Sequence, residues 1–406
     1  MAKILVVTQH YWPESFRIND LCEGFVEQGH EVEVLCGQPN YPQGQWYPGY
    51  GPFKKRKEDH NGVKIRRTFE IKRGNNSYVR IFLNYITFPM ASLTHMRYLK
   101  KQNYDKIFLY QTSPVMMSIV GILLGRKKKI ETTMYVLDIW PQNLYSLLNF
   151  KSKFIRSILS KVSAWHYKNV TRLITVSNRL REHMIEELDI NPENICFIPQ
   201  CCEKLYEETL LDEGLEKRFS KGFNIVFTGN ISPLQSFETI LDAAKRLKAD
   251  GIKDINYIIV GDGMSAGWLK DEVANAGLSD YFFFEGFHPV EDIPKYTHIA
   301  DALIACLTKS GLEDFNIPAK VMSYIASGRP VLLSMNGEVR QIIKQAECGY
   351  TCEAEDSVGL YKNIKELYCL EQEDRNKLGE NASKYHLENF ERNNNLAKML
   401  EFILGK

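Results

Sequence analysis

Short β-branched runs alternate with helix-length segments along the whole chain, and the alternation starts afresh halfway. The first set comprises KILVVT (3–8), EVEVLC (31–36), VKIRRT (63–68), KIFLYQ (106–111), IETTMYV (130–136) and RLITVS (172–177). The second comprises FNIVFTG (223–229), NYIIVGDG (256–263), YFFFEG (281–286), ALIACL (302–307), PVLLS (330–334) and a weaker GYTCE (349–353). Such alternation predicts parallel sheets with crossover helices. At 406 residues the chain exceeds what one core usually serves. The expected class is α/β, two doubly wound Rossmann-like domains facing a central cleft, with ligands beyond the carboxyl ends of the strands. A strand-like run ends at Pro199 and polar residues follow, which places the linker near 199–208, between domains at 1–200 and 205–389.

Charge divides the same way. Residues 1–200 hold 28 Lys and Arg against 17 Asp and Glu, leaving 23 against 33 for the remainder. The basic clusters KKRK (54–57), KIRR (64–67) and RKKK (126–129) suit an anionic membrane surface or a phosphorylated partner, or form a solvated face. Nucleic acid is not expected, because no zinc finger, ribonucleoprotein motif or continuous basic helix accompanies them. No run of 18 apolar residues occurs, and the N-terminus MAKILVVTQHYWPE reads as a first strand rather than a leader. Nine cysteines without C-x-x-C pairs fit a reducing cytoplasm. Residues 77–99, SYVRIFLNYITFPMASLTHMRYL, read either as packing inside the first domain or as an apolar helical face lying on a membrane surface.

The loops after the strands are polar and aromatic: QHYWPESFRIND (9–20), GQPNYPQGQWYPGYG (37–51), QTSP (111–114), LDIWPQ (137–142) and Ser177. Rings and amides in such loops suit sugars, and the plain alternative is punctuation by Pro and Gly. VGDGMSAG (260–267) lacks dinucleotide-fingerprint spacing, and no G-x-x-x-x-G-K-[ST], H-E-x-x-H, G-x-S-x-G or D-x-D motif appears. In EDFNIPAKVMSYIASGRPVL (313–332), Asn316 reads as an N-cap, Pro318 as a first-turn residue and Gly328 as the stop, giving a helix from near Ile317. Lys320 in its first turn opposes the helix dipole, a placement that favours an anionic ligand.

The ordered series FTGN (227–230), ETILDAAKRLK (238–248), YIIVGDG, FFFEGF (282–287), ADALIACL (300–307) and EDFNIPAKVMSYIASGRPVL resembles retaining glycosyltransferases of family 4, with the GT-B fold. QHYWPESFRIND and LDIWPQ resemble the bacterial branch that builds surface polysaccharides, colanic acid and fucosamine-type O-antigen transferases among them. FERNNNLAKMLEFIL (390–404) is similar to the helix with which such enzymes return to the first domain, so 390–406 is assigned there.

The resemblance implies a nucleotide-sugar donor, a UDP-sugar by expectation, held mainly by the second domain. It implies an undecaprenyl-diphosphate-linked saccharide acceptor held mainly by the first, at the inner face of the cell membrane. No cofactor or metal is expected, so the leaving diphosphate needs Lys, Arg or helix amides. Glu313 matches the glutamate beside the transferred sugar. Gly229, Asn230, Gln235, Gly261, Gly263, Phe287, Asn316, Ile317, Pro318 and Lys320 are the expected donor-binding residues. Three positions depart from the pattern: Val321 replaces the ribose-gripping glutamate, Asn230 an arginine and Gln235 a lysine. Lys320, helped by Arg329 or Arg17, is the expected substitute for the lost cations. Asp138 stands in place of a histidine, as a second catalytic candidate or as a turn cap, and Glu14, Arg17, Asn19 and Ser113 are acceptor-side candidates. The departures leave two alternatives, a GT-B nucleotide-sugar 2-epimerase and a noncatalytic sugar-nucleotide-binding relative.

Overall fold

The computed structural model describes every residue except 75–77, 149–151, 201, 203, 208–209, 310, 312–314 and 406. The chain forms two compact units, Met1–Pro199 with Asn393–Lys406, and Gln200–Arg392. In the first, eight strands form one sheet: β1 (Lys3–Val7), β2 (Glu31–Cys36), β3 (Lys57–His60), β4 (Val63–Arg67), β5 (Lys106–Gln111), β6 (Thr132–Val136), β7 (Arg172–Thr175) and β8 (Ile195–Phe197). Their spatial order is β3-β4-β2-β1-β5-β6-β7-β8, parallel except for the β3/β4 pair. The central strands are apolar on both faces because helices cover both, and Val6 pairs with Val34 on one side and Phe108 on the other. β3 is KEDH, an antiparallel edge strand with no apolar residue, and the sequence offered no strand signal there.

The second unit holds β9 (Phe223–Thr228), β10 (Ile255–Val260), β11 (Phe282–Gly286), β12 (Ala302–Cys306), β13 (Val331–Ser334) and β14 (Gly349–Cys352), in the order β11-β10-β9-β12-β13-β14. Its core joins Ile225, Phe227 and Ile259 of the sheet to Ile240 and Leu241 of helix Phe237–Ala249 and Leu360 and Ile364 of helix Ser357–Cys369. Each such side chain contributes about 1.5–3 kcal/mol by leaving water. In helix Arg392–Leu404 the buried Leu396, Met399, Leu400 and Ile403 recur at helical spacing, and the ring of Phe402 lies 5.9 Å from the Arg172 guanidinium at the start of β7.

In each sheet the chain winds outward both ways from the strand it enters first. The switch points therefore fall between β1 and β5 and between β9 and β12, where the strand ends leave a crevice.

Candidate active site

At the second switch point the turns are built from backbone. Gly229 (φ +127°) and Gly261 (φ +143°) follow β9 and β10, and a Cβ at 261 would stand 1.9 Å from Gly229 O. One at Gly263 would stand 2.2 Å from Ile231 O and 2.4 Å from the Asn230 side-chain oxygen. No side chain fits either place. Hydrogen bonds from Gly229 N to Val260 O and from Ile231 N to Asp262 O lock the two turns together. Gly261 N donates to Gly286 O, and the next residue along, Phe287, is 70% exposed at the same sheet end.

Lys320 is the second residue of helix Ala319–Ala326. Its ammonium lies 4.0 Å from the centre of the Phe227 ring, donates to Gln235 Oε1 at 2.5 Å, and would be 3.4 Å from a Cβ on Gly229. Burial pushes its pKa down to about 7, with Cys306 at the end of β12 opposing the shift. The lysine and the amide at 235 thus form one pair. Burial therefore weakens the hold of Lys320 on its proton, and a bound anion would strengthen it.

Several sequence expectations change here. The helix starts at Ala319 rather than near Ile317, with Pro318 in extended conformation as its N-cap. Asn316 is exposed and Ile317 is buried as an anchor. Gly328 does end the helix with φ +64°. Val321 is wholly buried, so its side chain faces the interior rather than a ribose. Arg329 lies at the opposite end of the sheet, before β13, where it donates to His298 O; it is not an aid to Lys320. Glu313 lies outside the described residues.

Beyond the first sheet, side chains take over. Asp138 Oδ2 accepts from Ser113 N (3.0 Å) and Ser113 Oγ (2.9 Å), and Ser113 Oγ accepts from Trp140 Nε1 (3.1 Å). Burial raises the Asp138 pKa while the bonds from Ser113 and Asn143 hold it down. The catalytic candidate and the acceptor candidate are therefore joined. Glu14 is buried, its Oε1 accepting from Asn40 N and Tyr41 N at 2.6 Å each and its Oε2 meeting His10 Nδ1 at 2.9 Å. Oε1 orders the loop after β2 and Oε2 the loop after β1, so neither oxygen lies open. Asn19 also braces loops, accepting from Trp12 N and donating to Glu14 O. Arg17 is half-buried where helix Ile18–Glu27 begins.

The sequence reading missed the loop after β4, which the strand-end rule selects as readily as its neighbours. Glu70 there is fully buried and accepts from Gln9 Nε2 (3.0 Å) and Asn40 Nδ2 (2.6 Å). Burial, with Glu14 close by, raises its pKa well above the usual carboxylate range. Arg73 donates to Tyr85 OH (3.0 Å), and its guanidinium lies 5.2 Å from the Tyr41 ring centre. Its Nε is buried without a hydrogen-bond partner. The KIRR cluster also changes meaning, since Arg66 pairs with Glu33 and Arg67 with Glu58, leaving Lys64 exposed.

Two families match the chain in succession: Glycosyltransferase Family 4 over residues 16–202 and Glycosyl transferases group 1 over residues 215–385. A protein of Escherichia coli (strain K12) named as a colanic acid biosynthesis glycosyl transferase, WcaI, is 23% identical over 365 residues, covering 86% of both chains. Among solved structures, sucrose-phosphate synthase from Thermosynechococcus elongatus aligns with a TM-score of 0.77 at 14% identity, covering 99% of this chain and 98% of that one. Anabaena HepE, in complex with UDP and glucose, aligns with a TM-score of 0.73 at 15% identity over 100% of both chains. This chain is a glycosyltransferase of GT-B fold, made of a family 4 domain followed by a group 1 domain.

Proposed function

We propose that the enzyme moves a sugar from a UDP-sugar, with retention, onto a lipid-linked saccharide. Its setting would be surface-polysaccharide assembly at the inner face of the cell membrane. The observation that carries the reading is the pair Lys320–Gln235, set beside the Gly229 turn at the second switch point. A diphosphate fits this site because Lys320, beside the Gly229 turn and in the first turn of its helix, supplies the opposing charge. HepE, with UDP at its own site, supports the choice of nucleotide, and the name of WcaI supports the pathway class.

In this reading Lys320 and the amides at the start of its helix take up charge as the sugar–phosphate bond breaks. Exposed Phe287 offers a face for the base. Glu313 meets the sugar by the sequence resemblance, and Asp138, held by Ser113, is the carboxylate of the first unit. Arg73, held by Tyr85 OH and the Tyr41 ring, gives the acceptor side a cation for hydroxyl or phosphate oxygen. The test incubates EDTA-treated enzyme with a panel of labelled UDP-sugars and lipid-linked saccharides from a surface-polysaccharide producer. Transfer of label to lipid, with the anomeric configuration of the donor, is expected. Transfer only from a donor with another base, only after metal is restored, or with inversion would overturn the corresponding part of the reading.

A further inference from the structure

Helix Tyr78–Leu93 is amphipathic with its faces reversed. Its buried side carries Asn84 and Ser92 beside Phe88, and Asn84 is held there by Gln9 and by Ile71 O. The opposite side carries Val79 (67% exposed), Phe82 (61%), Leu83, Met90 (65%) and Leu93, with half-buried Ile86 between. Apart from the adjacent pair Phe82 and Leu83, each step along that series is three or four residues, so the side chains form a single stripe facing water. A packed helix places its apolar stripe inward, and reversal of this kind marks a surface that something else covers.

The border of the stripe is cationic. Arg97 is exposed on the short helix Met96–Leu99 that follows. Helix Ile119–Lys128 packs against both of these helices, exposes Leu123 and ends in exposed Arg126 and Lys127. Lys127 stands close enough to Lys100 to push the Lys100 ammonium down. Among the described residues no carboxylate pairs with Arg97, Lys100 or Lys127. Helix Lys153–Lys168 packs, like helix Tyr78–Leu93, on the turn Val115–Ser118. Its first turns expose Phe154 (75%), Ile155 and Ile158 among Lys153, Arg156 and Lys161.

We infer that this face docks on an anionic phospholipid bilayer, with the stripe of helix Tyr78–Leu93 at the acyl boundary and the bordering cations among headgroup phosphates. The inference gives the proposed membrane location a surface and rests on that reading. No helix among the described residues is long and apolar enough to cross a membrane, so this helix lies along the interface. Charge decides between occupants. A second copy docked by the same face would bring like cations together, whereas anionic lipid attracts each Lys or Arg near its surface.

Co-sedimentation of the full chain with phosphatidylcholine vesicles, with and without phosphatidylglycerol, tests the proposal. Wild-type protein is expected to partition onto the anionic vesicles and to come off in high salt. Phe82→Ser with Met90→Ser, and separately Lys100→Glu with Lys127→Glu, should each lower partition about tenfold or more. UDP binding in solution should stay unchanged, because these side chains, exposed except for half-buried Lys100, lie outside the strand-end sites. Wild-type protein left in the supernatant, or a Phe82/Met90 variant that partitions normally, overturns the inference. So does a concentration-dependent dimer that the same variant abolishes without any vesicle binding. Failure of sugar transfer alongside normal partition would count against the proposed reaction and leave the docking face standing.

Discussion

The two sheets end in different materials. Beyond the first, three carboxylates are each tied to other side chains or loop amides: Glu14 to His10, Asn40 and Tyr41, Glu70 to Gln9 and Asn40, Asp138 to Ser113. Beyond the second, the turns are glycine backbone in mutual contact, and one lysine rests on a ring with an amide as partner. A backbone surface of that kind holds one shape and suits a group that is always the same, as a diphosphate is. A mesh of side chains can be altered one residue at a time, which suits an acceptor that differs between enzymes of one fold.

The comparison breaks most readily at Gly261. Alanine there brings a Cβ to within 1.9 Å of Gly229 O at a φ of +143°, so the two turns must separate. Strain of about 1–3 kcal/mol and a displaced site are expected, with turnover falling at least about 100-fold. Normal donor turnover in Gly261→Ala would show that backbone contact does not shape the second site.

Lys320→Met removes charge and leaves the turns intact. Turnover should fall about 100-fold or more, as for loss of one transition-state donor. The unfolding midpoint should hold or rise, because a desolvated amine has been replaced by a thioether. A variant that melts early yet keeps its specific activity would make Lys320 a structural residue and remove the main support for the diphosphate reading.

Glu70→Ala makes the opposite test. It strands the Gln9 and Asn40 amides, which should cost about 2–3 kcal/mol in the transition that reports the first unit. UDP affinity, followed by titration calorimetry, should not move. Coupled losses of stability and UDP affinity would mean that the strand ends are not separate sites.

These residues also show where sequence was legible. The apolar strands and the glycine turns could be read, because burial on both faces and backbone contact each restrict residue type strongly. β3 could not, since an edge strand that keeps charge in solvent has no apolar pattern to display. The helix start was misplaced because Asn316 and Pro318 are strong local signals, while burial of Ile317, a tertiary effect, sets the chain's entry. Glu70 was missed for a different reason. A glutamate reads as solvent-facing until its partners are known, and Gln9 and Asn40 lie 61 and 30 residues away. Arg66 and Arg67 misled in the same way: counted as a basic patch, they are partners of Glu33 and Glu58.

The smallest expected effect, taken per pH unit, is a pH dependence, and it sharpens the contrast because its two parts run in opposite directions. Lys320 has a folded pKa of about 7, below its value of about 10.5 in an unfolded chain. Across that window the unfolded chain holds a proton that the native chain releases. Its penalty on folding is therefore complete below pH 7 and fades as pH rises toward the unfolded value. A bound diphosphate favours the ammonium and raises the pKa, so above pH 7 binding takes up a proton. The Lys320 contribution to UDP affinity should then be level below pH 7 and weaken by at most about tenfold per pH unit above it, until the pKa of the complex is reached. Titrations of UDP in buffers of different ionisation enthalpy would show the uptake directly. In Lys320→Met both trends should vanish together, whereas in Glu70→Ala the pH dependence of UDP binding should persist. If the Lys320→Met variant kept the wild-type slope, the proton would belong to another group and the lysine would lose its place opposite the diphosphate.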